Sequence, residues 1–177
     1  MRQTVATLKK SIRDIPDFPQ RGIIFKDITT LLKDAEMFDA AIELLFMHYK
    51  DATIDKIAAI EARGFIIGGA LALKLGCGFI PLRKPGKLPA DIISEQYELE
   101  YGIDHIEIHT DAVKPGESIL LVDDLIATGG TALAGIRLIE KLGGRIAGIC
   151  FLVELSFLQG RKLLEGYNIF SLITYDS

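Results

Sequence analysis

Two neighbouring carboxylates, Asp123 and Asp124, follow the apolar run Ile119-Leu120-Leu121-Val122 and lead through Leu125-Ile126 into Ala127-Thr128-Gly129-Gly130-Thr131. The apolar run reads as a buried strand, with the carboxylates at its exposed C-terminal end and a helix opening at Thr131. Gly129 and Gly130 let the backbone approach a ligand, the free amides of a helix start favour an anion, and the hydroxyls of Thr128 and Thr131 add donors suited to a phosphate monoester. Asp123 and Asp124 are acceptors for a pair of ribose hydroxyls. Phosphate in the loop and ribose over the carboxylates together make a sugar phosphate. Thr-Gly-Gly-Thr alone is also an ordinary helix cap; the whole thirteen-residue arrangement separates the two readings. The chain has neither the Gly-x-x-x-x-Gly-Lys-Ser/Thr of a nucleotide triphosphatase nor the Gly-x-Gly-x-x-Gly of a dinucleotide binder.

Other segments carry chemistry at a distance from this one. Glu61-Ala62-Arg63-Gly64 closes the short apolar run 57–60, and Arg83-Lys84-Pro85-Gly86-Lys87 is a basic segment after Gly78-Phe79-Ile80-Pro81-Leu82. Glu100-Tyr101-Gly102 lies between two stretches, 92–99 and 103–110, that alternate polar with apolar. His105, Glu107 and His109 fall on one face of the second stretch, a pattern that could hold a metal but more commonly marks a solvated strand face. Cys77 and Cys150 have neither zinc nor dithiol spacing and read as reduced, packed thiols.

The elements that must position these groups follow from periodicity. Val5, Leu8, Ile12 and Ile15 have helical spacing, ended by Pro16 and Pro19, and 36–50 repeats the pattern. Strands are expected at 57–60, 78–82, 118–122, 146–153 and 169–173, with helices at 65–75, closed by Gly76, and 131–142. The alternation predicts an α/β fold with a mainly parallel twisted sheet flanked by helices, and an antiparallel excursion with a mobile tip.

The 119–131 stretch resembles the phosphoribosyl pyrophosphate signature of type I phosphoribosyltransferases. Four further segments narrow the resemblance to the adenine-specific branch of that family: 18–29 (Phe-Pro-Gln-Arg-Gly-Ile-Ile-Phe-Lys-Asp-Ile-Thr), 61–65, 83–89 and 97–102. The resemblance implies transfer of the phosphoribosyl group of phosphoribosyl pyrophosphate to adenine, giving AMP and pyrophosphate. It also implies one catalytic domain over 1–177, with an N-terminal hood at about 16–35 and a lid at about 83–110.

The residue roles it implies are these. Phe25 stacks on the base, with backbone groups around Ile24 and Lys26 pairing with its edge. Asp123 and Asp124 hold the ribose, and Ala127, Thr128, Gly129, Gly130 and Thr131 hold the 5-phosphate. Arg63, on a loop with a strained peptide, joins Arg83, Lys84 and Lys87 at the pyrophosphate, Arg83 reaching a partner subunit's site. The family often has Asp and Ser where Glu61 and Ala62 stand, so no side-chain role passes to those two. Glu100 is the catalytic acid/base and Tyr101 positions the closed lid. Magnesium is held mainly through the substrate, with no direct protein ligand, and the protein is a homodimer.

Composition limits the alternatives. A chain of 177 residues with 49% hydrophobic and 25% charged residues suits one globular domain. A net charge of −4 gives no general attraction to nucleic acid. The absence of a signal-like N-terminus and of any membrane-length apolar run predicts no membrane partner and a cytoplasmic protein. Two other functions remain: a phosphoribosyltransferase for another base, and a non-catalytic regulator that senses phosphoribosyl pyrophosphate. The second normally carries a nucleic-acid-binding element, and nothing in the first 35 residues reads as a helix-turn-helix.

Overall fold

The structure, a computed structural model, describes residues 4–99 and 102–177, and falls into two units, Met1–His48 and Tyr49–Ser177. In the first unit Thr4 caps helix α1 (Val5–Ser11), its side chain accepting from the Thr7 amide at 3.3 Å. The helix stops earlier than its apolar spacing suggests. Ile15 lies instead in strand β1 (Arg13–Pro16), which pairs antiparallel with β2 (Ile24–Asp27) in the register Ile15 to Phe25. Pro16 disfavours helical backbone in the residue before it, and the pairing supplies the hydrogen bonds that the helix would have supplied.

Two cross-strand ion pairs fix this hairpin: Lys26 to Asp14 at 2.8 Å, and Arg13 to Asp27. Asp27 also accepts from the hydroxyl and amide of Thr29 at 2.7 and 2.9 Å. The Thr29 hydroxyl and the Arg13 guanidinium hold its carboxyl down at about 2. A single helical turn, α2 (Thr29–Leu32), follows, which periodicity does not reveal. Asp34 then accepts from the amides of Glu36 and Met37 and so starts α3 (Ala35–Tyr49), the helix expected from the 36–50 pattern.

The second unit holds the central sheet. Strand β3 (Lys56–Ile60) runs into helix α4 (Arg63–Leu75), which closes at Gly76 in left-handed conformation, φ +71°. Then come β4 (Gly78–Leu82), the antiparallel pair β5 (Ile92–Leu99) and β6 (Gly102–His109), β7 (Ser118–Ile126), helix α5 (Gly130–Lys141) and β8 (Arg145–Leu155). Two 3-10 turns, Ser156–Leu158 and Gly160–Leu164, lead to β9 (Ile169–Tyr175). Five strands form one parallel sheet in the order β4-β3-β7-β8-β9. Its central strands are near-continuous apolar runs, as a parallel sheet buried on both faces requires: Ile57, Ala58, Leu120, Leu121, Val122, Ile149 and Leu152 have no exposed surface.

The order also says where a ligand belongs. From β3 the chain moves outward to β4, whereas from β7 it moves the other way to β8 and β9. The connections after β3 and β7 therefore diverge and leave a crevice outside their carboxyl ends, the usual binding position of an open α/β sheet.

Candidate active site

Strand β7 carries Asp123 and Asp124 to this crevice. The strand is longer than its apolar run indicates: it extends through Ile126, pairing with β8 as far as Glu154. The expectation that both carboxylates stand at an exposed strand end is thereby corrected, since Asp124 is only 7% exposed. Sheet pairing continues past the apolar residues because the ladder needs only backbone groups. Asp124 accepts from Arg63 Nε at 2.5 Å, and its own amide donates to Asp123 Oδ1 at 2.8 Å. Burial, and next the charge of Asp124, push the Asp123 carboxyl well above its ordinary value.

Arg63 reaches Asp124 because α4 lies very close to the sheet. A Cβ at Gly64 would sit 2.8 Å from Asp123 Oδ1, and one at Gly68 would sit 2.6 Å from Ala59 Cβ. Glycine at both positions lets the first two turns of α4 rest on β3 and β7, which aims the guanidinium of its first residue across the crevice. The Glu61–Ala62 peptide preceding it is cis.

After Ile126 the chain enters the loop 127–129. Gly129 has φ +87°, with Leu133 donating its amide to the Gly129 carbonyl to begin α5. Among the described residues no side chain caps that helix end. The early amides of α5 consequently face the loop where an anion would enter. Thr128 is exposed, while Gly129 is buried. A cavity of about 590 Å³ adjoins the loop, with Thr128, Gly130, Leu133, Tyr97 and Leu163 among its walls.

The basic segment is built differently. Arg83 Nε donates to Glu61 Oε2 at 2.7 Å, and the Lys84 amide donates to Glu61 Oε1 at 2.8 Å. Arg83 also donates to the Lys87 carbonyl at 3.3 Å and lies 5.9 Å from the centre of the Phe65 ring. Burial alone would raise the Glu61 carboxyl, but the hydrogen bonds from Arg83 and Lys84 outweigh it and hold it below its ordinary value. Lys84 turns to the β5–β6 pair, donating to Tyr97 Oη at 2.5 Å and to Asp104. Its ammonium is thereby raised above its ordinary value, against the opposing effect of burial. Lys87 is exposed.

The structure thus brings Arg63, Asp123, Asp124 and the 127–131 loop to the ends of adjacent strands. Ile24, Phe25 and Lys26 lie in β2 of the first unit, where Phe25 packs edge-on against Phe18 with ring centres 5.2 Å apart. Glu100 and Tyr101 lie outside the described residues. The β6 face carrying His105, Glu107 and His109 is not a uniformly solvated one, which corrects that reading: Glu107 is 9% exposed and accepts from the Gly86 amide at 3.1 Å. His109 Nε2 is buried, and among the described residues it has no hydrogen-bond partner. The strand's alternation predicts which residues share this face but not that the 83–87 segment covers it.

Sequence reasoning missed two residues that shape the site. Glu61 organises the basic segment, and the only signal for it was its place in the turn that also holds Arg63. Gly160 lies against the 127–129 loop, and nothing in its sequence neighbourhood indicates that contact.

A parallel sheet whose switch point joins a carboxylate pair to a glycine-rich loop opening a helix is an open α/β fold with a ligand crevice at the carboxyl ends of its strands. Residues 27–173 match the family model of the phosphoribosyl transferase domain. The chain is 65% identical over 166 residues to adenine phosphoribosyltransferase of Halothermothrix orenii, an alignment covering 94% of this chain and 98% of that one. The crystal structure of adenine phosphoribosyltransferase from Thermoanaerobacter pseudethanolicus superposes with a TM-score of 0.95 at 56% identity, covering 97% and 100% of the two chains. That of the Giardia lamblia enzyme complexed with 9-deazaadenine does so at 0.94 and 40%, covering 99% of each. The chain belongs to the phosphoribosyltransferase family, in its adenine phosphoribosyltransferase branch.

Proposed function

We propose that this chain is a purine salvage enzyme that transfers the phosphoribosyl group of phosphoribosyl pyrophosphate to adenine, releasing pyrophosphate and forming AMP. The observation that carries the reading is the convergence of Arg63, Asp124 and the 127–131 loop at the switch point between β3 and β7. Its choice of base rests on the relatives, among them the Giardia enzyme with a bound adenine analogue.

The 5-phosphate sits in the loop 127–131, the ribose hydroxyls on Asp123 and Asp124, and the pyrophosphate between Arg63 and the segment Arg83, Lys84 and Lys87. Departure of pyrophosphate from the anomeric carbon builds positive charge on the sugar and negative charge on the leaving group, so stabilisers of opposite sign must be kept apart. The carboxylates of β7 and the cations after β3 and β4 supply that division. Phe25 stacks on adenine with the backbone of Ile24 and Lys26 at its edge. Glu100 exchanges the proton of the base, and Tyr101 holds the lid over it. The hood and the lid belong to one catalytic domain.

The donors on this side of the crevice are hard oxygens, and among the described residues no group of three or more His, Cys, Asp or Glu gathers as a metal cage. That set fits a magnesium ion carried on substrate oxygens with Asp123 and Asp124 nearby, where it would neutralise charge on the leaving group. The protein acts as a homodimer in which Arg83 serves the partner's site. It works in the cytoplasm, a reading supported by free Cys77 and Cys150 and by the absence, among the described residues, of a helix long and apolar enough to cross a membrane.

The test is to incubate the protein with phosphoribosyl pyrophosphate, magnesium and each common base in turn. AMP should form from adenine and fail to form when magnesium is chelated. Hypoxanthine or guanine used within about tenfold of adenine in kcat/KM would reassign the base, because a site that hydrogen-bonds one donor and acceptor pattern rejects its inverse by about 10⁴-fold. Binding of phosphoribosyl pyrophosphate without turnover of any base would favour the regulator.

A further inference from the structure

The 127–129 loop does not support itself. Its underside is backbone packed on backbone, against the start of the second 3-10 turn. A Cβ at Gly129 would sit 2.6 Å from the Gly160 carbonyl oxygen and 3.3 Å from its carbon. The approach is as close from the other side: a Cβ at Gly160 would run into the Ala127 carbonyl oxygen, with Ala127 C at 3.1 Å and Ile126 Cγ1 at 3.0 Å. Gly129 needs glycine for its positive φ as well. Gly160 has no such need, so close approach alone demands glycine there.

The turn is itself anchored. Arg161 donates from Nε and Nη2 to the two oxygens of Glu154 on β8, at 2.7 and 2.8 Å. It also donates to the Ile169 carbonyl and Ser171 Oγ on β9, at 3.1 and 3.3 Å. A planar guanidinium with its donors spread over two strands fixes the residue beside it in position and orientation. The carboxylate of Glu154 is only 7% exposed, whereas the Arg161 side chain is 45% exposed.

We propose that Gly160 is a positioning residue for phosphate binding: held by Arg161 on β8 and β9, it backs the Ala127–Gly129 backbone and sets the shape of the anion loop. The inference rests on the reading of that loop as the 5-phosphate site. A methyl group at Gly160 must push the loop, because backbone atoms stand in its way and no flexible side-chain end can yield. Displacing a ligand cradle by about 1 Å costs as much as 10²-fold. The base and pyrophosphate contacts, carried by other segments, are left in place.

The experiment measures AMP and adenosine affinities by calorimetry for the parent, Gly160→Ala, Arg161→Lys and the loop double variant Thr128→Val/Thr131→Val, with melting temperatures alongside. Gly160→Ala should lose about tenfold or more in AMP affinity while adenosine stays within about twofold. In kinetics its KM for phosphoribosyl pyrophosphate should rise and its KM for adenine should not. Arg161→Lys, which keeps the charge beside Glu154 but loses the fork, should move AMP the same way by less. AMP affinity within twofold of the parent in Gly160→Ala overturns the inference, as does an equal loss for adenosine. If Gly160→Ala does not fold, Arg161→Lys decides by the same criteria. A loop variant that loses AMP beside a normal Gly160→Ala removes this inference alone, whereas a loop variant that keeps AMP removes the phosphate reading and this inference with it.

Discussion

The carboxyl end of β7 and the basic segment after β4 are held in opposite ways. At β7 the groups are fixed by sheet pairing: Asp124 is buried, Gly64 presses on Asp123, and the loop beyond is backed by backbone. After β4 the groups are long cations on partly exposed ion pairs, Arg83 on Glu61 and Lys84 on Asp104, with side-chain exposures of 35% and 38% for the two cations. The first arrangement suits a part of the substrate that stays in place during reaction. The second suits one that arrives charged and leaves, since each cation can exchange its carboxylate for a pyrophosphate oxygen at little cost in a half-solvated site.

If the fixed side carries the sugar, the largest loss should come from Asp124→Asn. It removes the buried negative charge that accepts from Arg63 Nε, so kcat/KM should fall by about 10²–10³-fold, the range seen when one preorganised electrostatic contact is removed. The melting temperature should fall as well, because Asp124 itself is buried, although the Arg63 side chain is 43% exposed. Steady-state kinetics within threefold of the parent would mean that β7 is merely structural.

The exchangeable side should respond in a different parameter. Glu61→Gln frees Arg83 and loosens the turn at Lys84, disordering the leaving-group site before substrate arrives. The KM for phosphoribosyl pyrophosphate should rise by about tenfold with kcat nearly unchanged, the pattern of lost uniform binding. A fall in kcat of the same size would place Glu61 with the fixed groups and erase the contrast.

The same contrast governs what could be read from the sequence. The central strands and α3 to α5 were legible because apolar periodicity reports burial directly, and Arg63, Asp123 and Asp124 stood out as candidates because charged groups follow apolar runs there. The extension of β7 past Val122 was not, since ladder pairing is a backbone property that polar side chains do not mark. The hairpin of β1 with β2 was hidden by helical spacing that runs on to Ile15. Gly160 could not be found because a missing side chain gains meaning only from what lies against it. Lys84 read as one of four cations for the leaving group, yet its bonds to Tyr97 and Asp104 tie it to the β5–β6 pair.

A third test uses pH to probe the fixed side. The folded value of Asp123 stands above its ordinary 3.8, so the folded chain keeps a proton that the unfolded chain releases. The stability this adds is fully present below the unfolded value and is lost as pH rises through the raised folded one. In Asp123→Asn that decline should disappear, so the variant gains on the parent as pH increases. Urea denaturation midpoints over this range check it; parallel pH profiles for the two proteins would show that Asp123 is not perturbed by its burial.

The smallest effect belongs to the Lys84–Asp104 pair. Removing either partner alters more than the pair, because Lys84 also donates to Tyr97 and lies 5.1 Å from the centre of its ring, while Asp104 accepts from the His105 amide at 2.7 Å. Single substitutions therefore cannot isolate it, and a double-mutant cycle of Lys84→Met with Asp104→Asn is needed. Both side chains are about one-third exposed, so solvent screens their attraction and the coupling to stability should be only about 0.2–1 kcal/mol, smaller at high salt. If the cation is exchangeable, saturating pyrophosphate should reduce that coupling further, because Lys84 then has a second anion to bind. A coupling that is larger than about 2 kcal/mol and indifferent to pyrophosphate would make Lys84 a fixed strut of the β5–β6 pair, leaving Arg63, Arg83 and Lys87 to meet the leaving group.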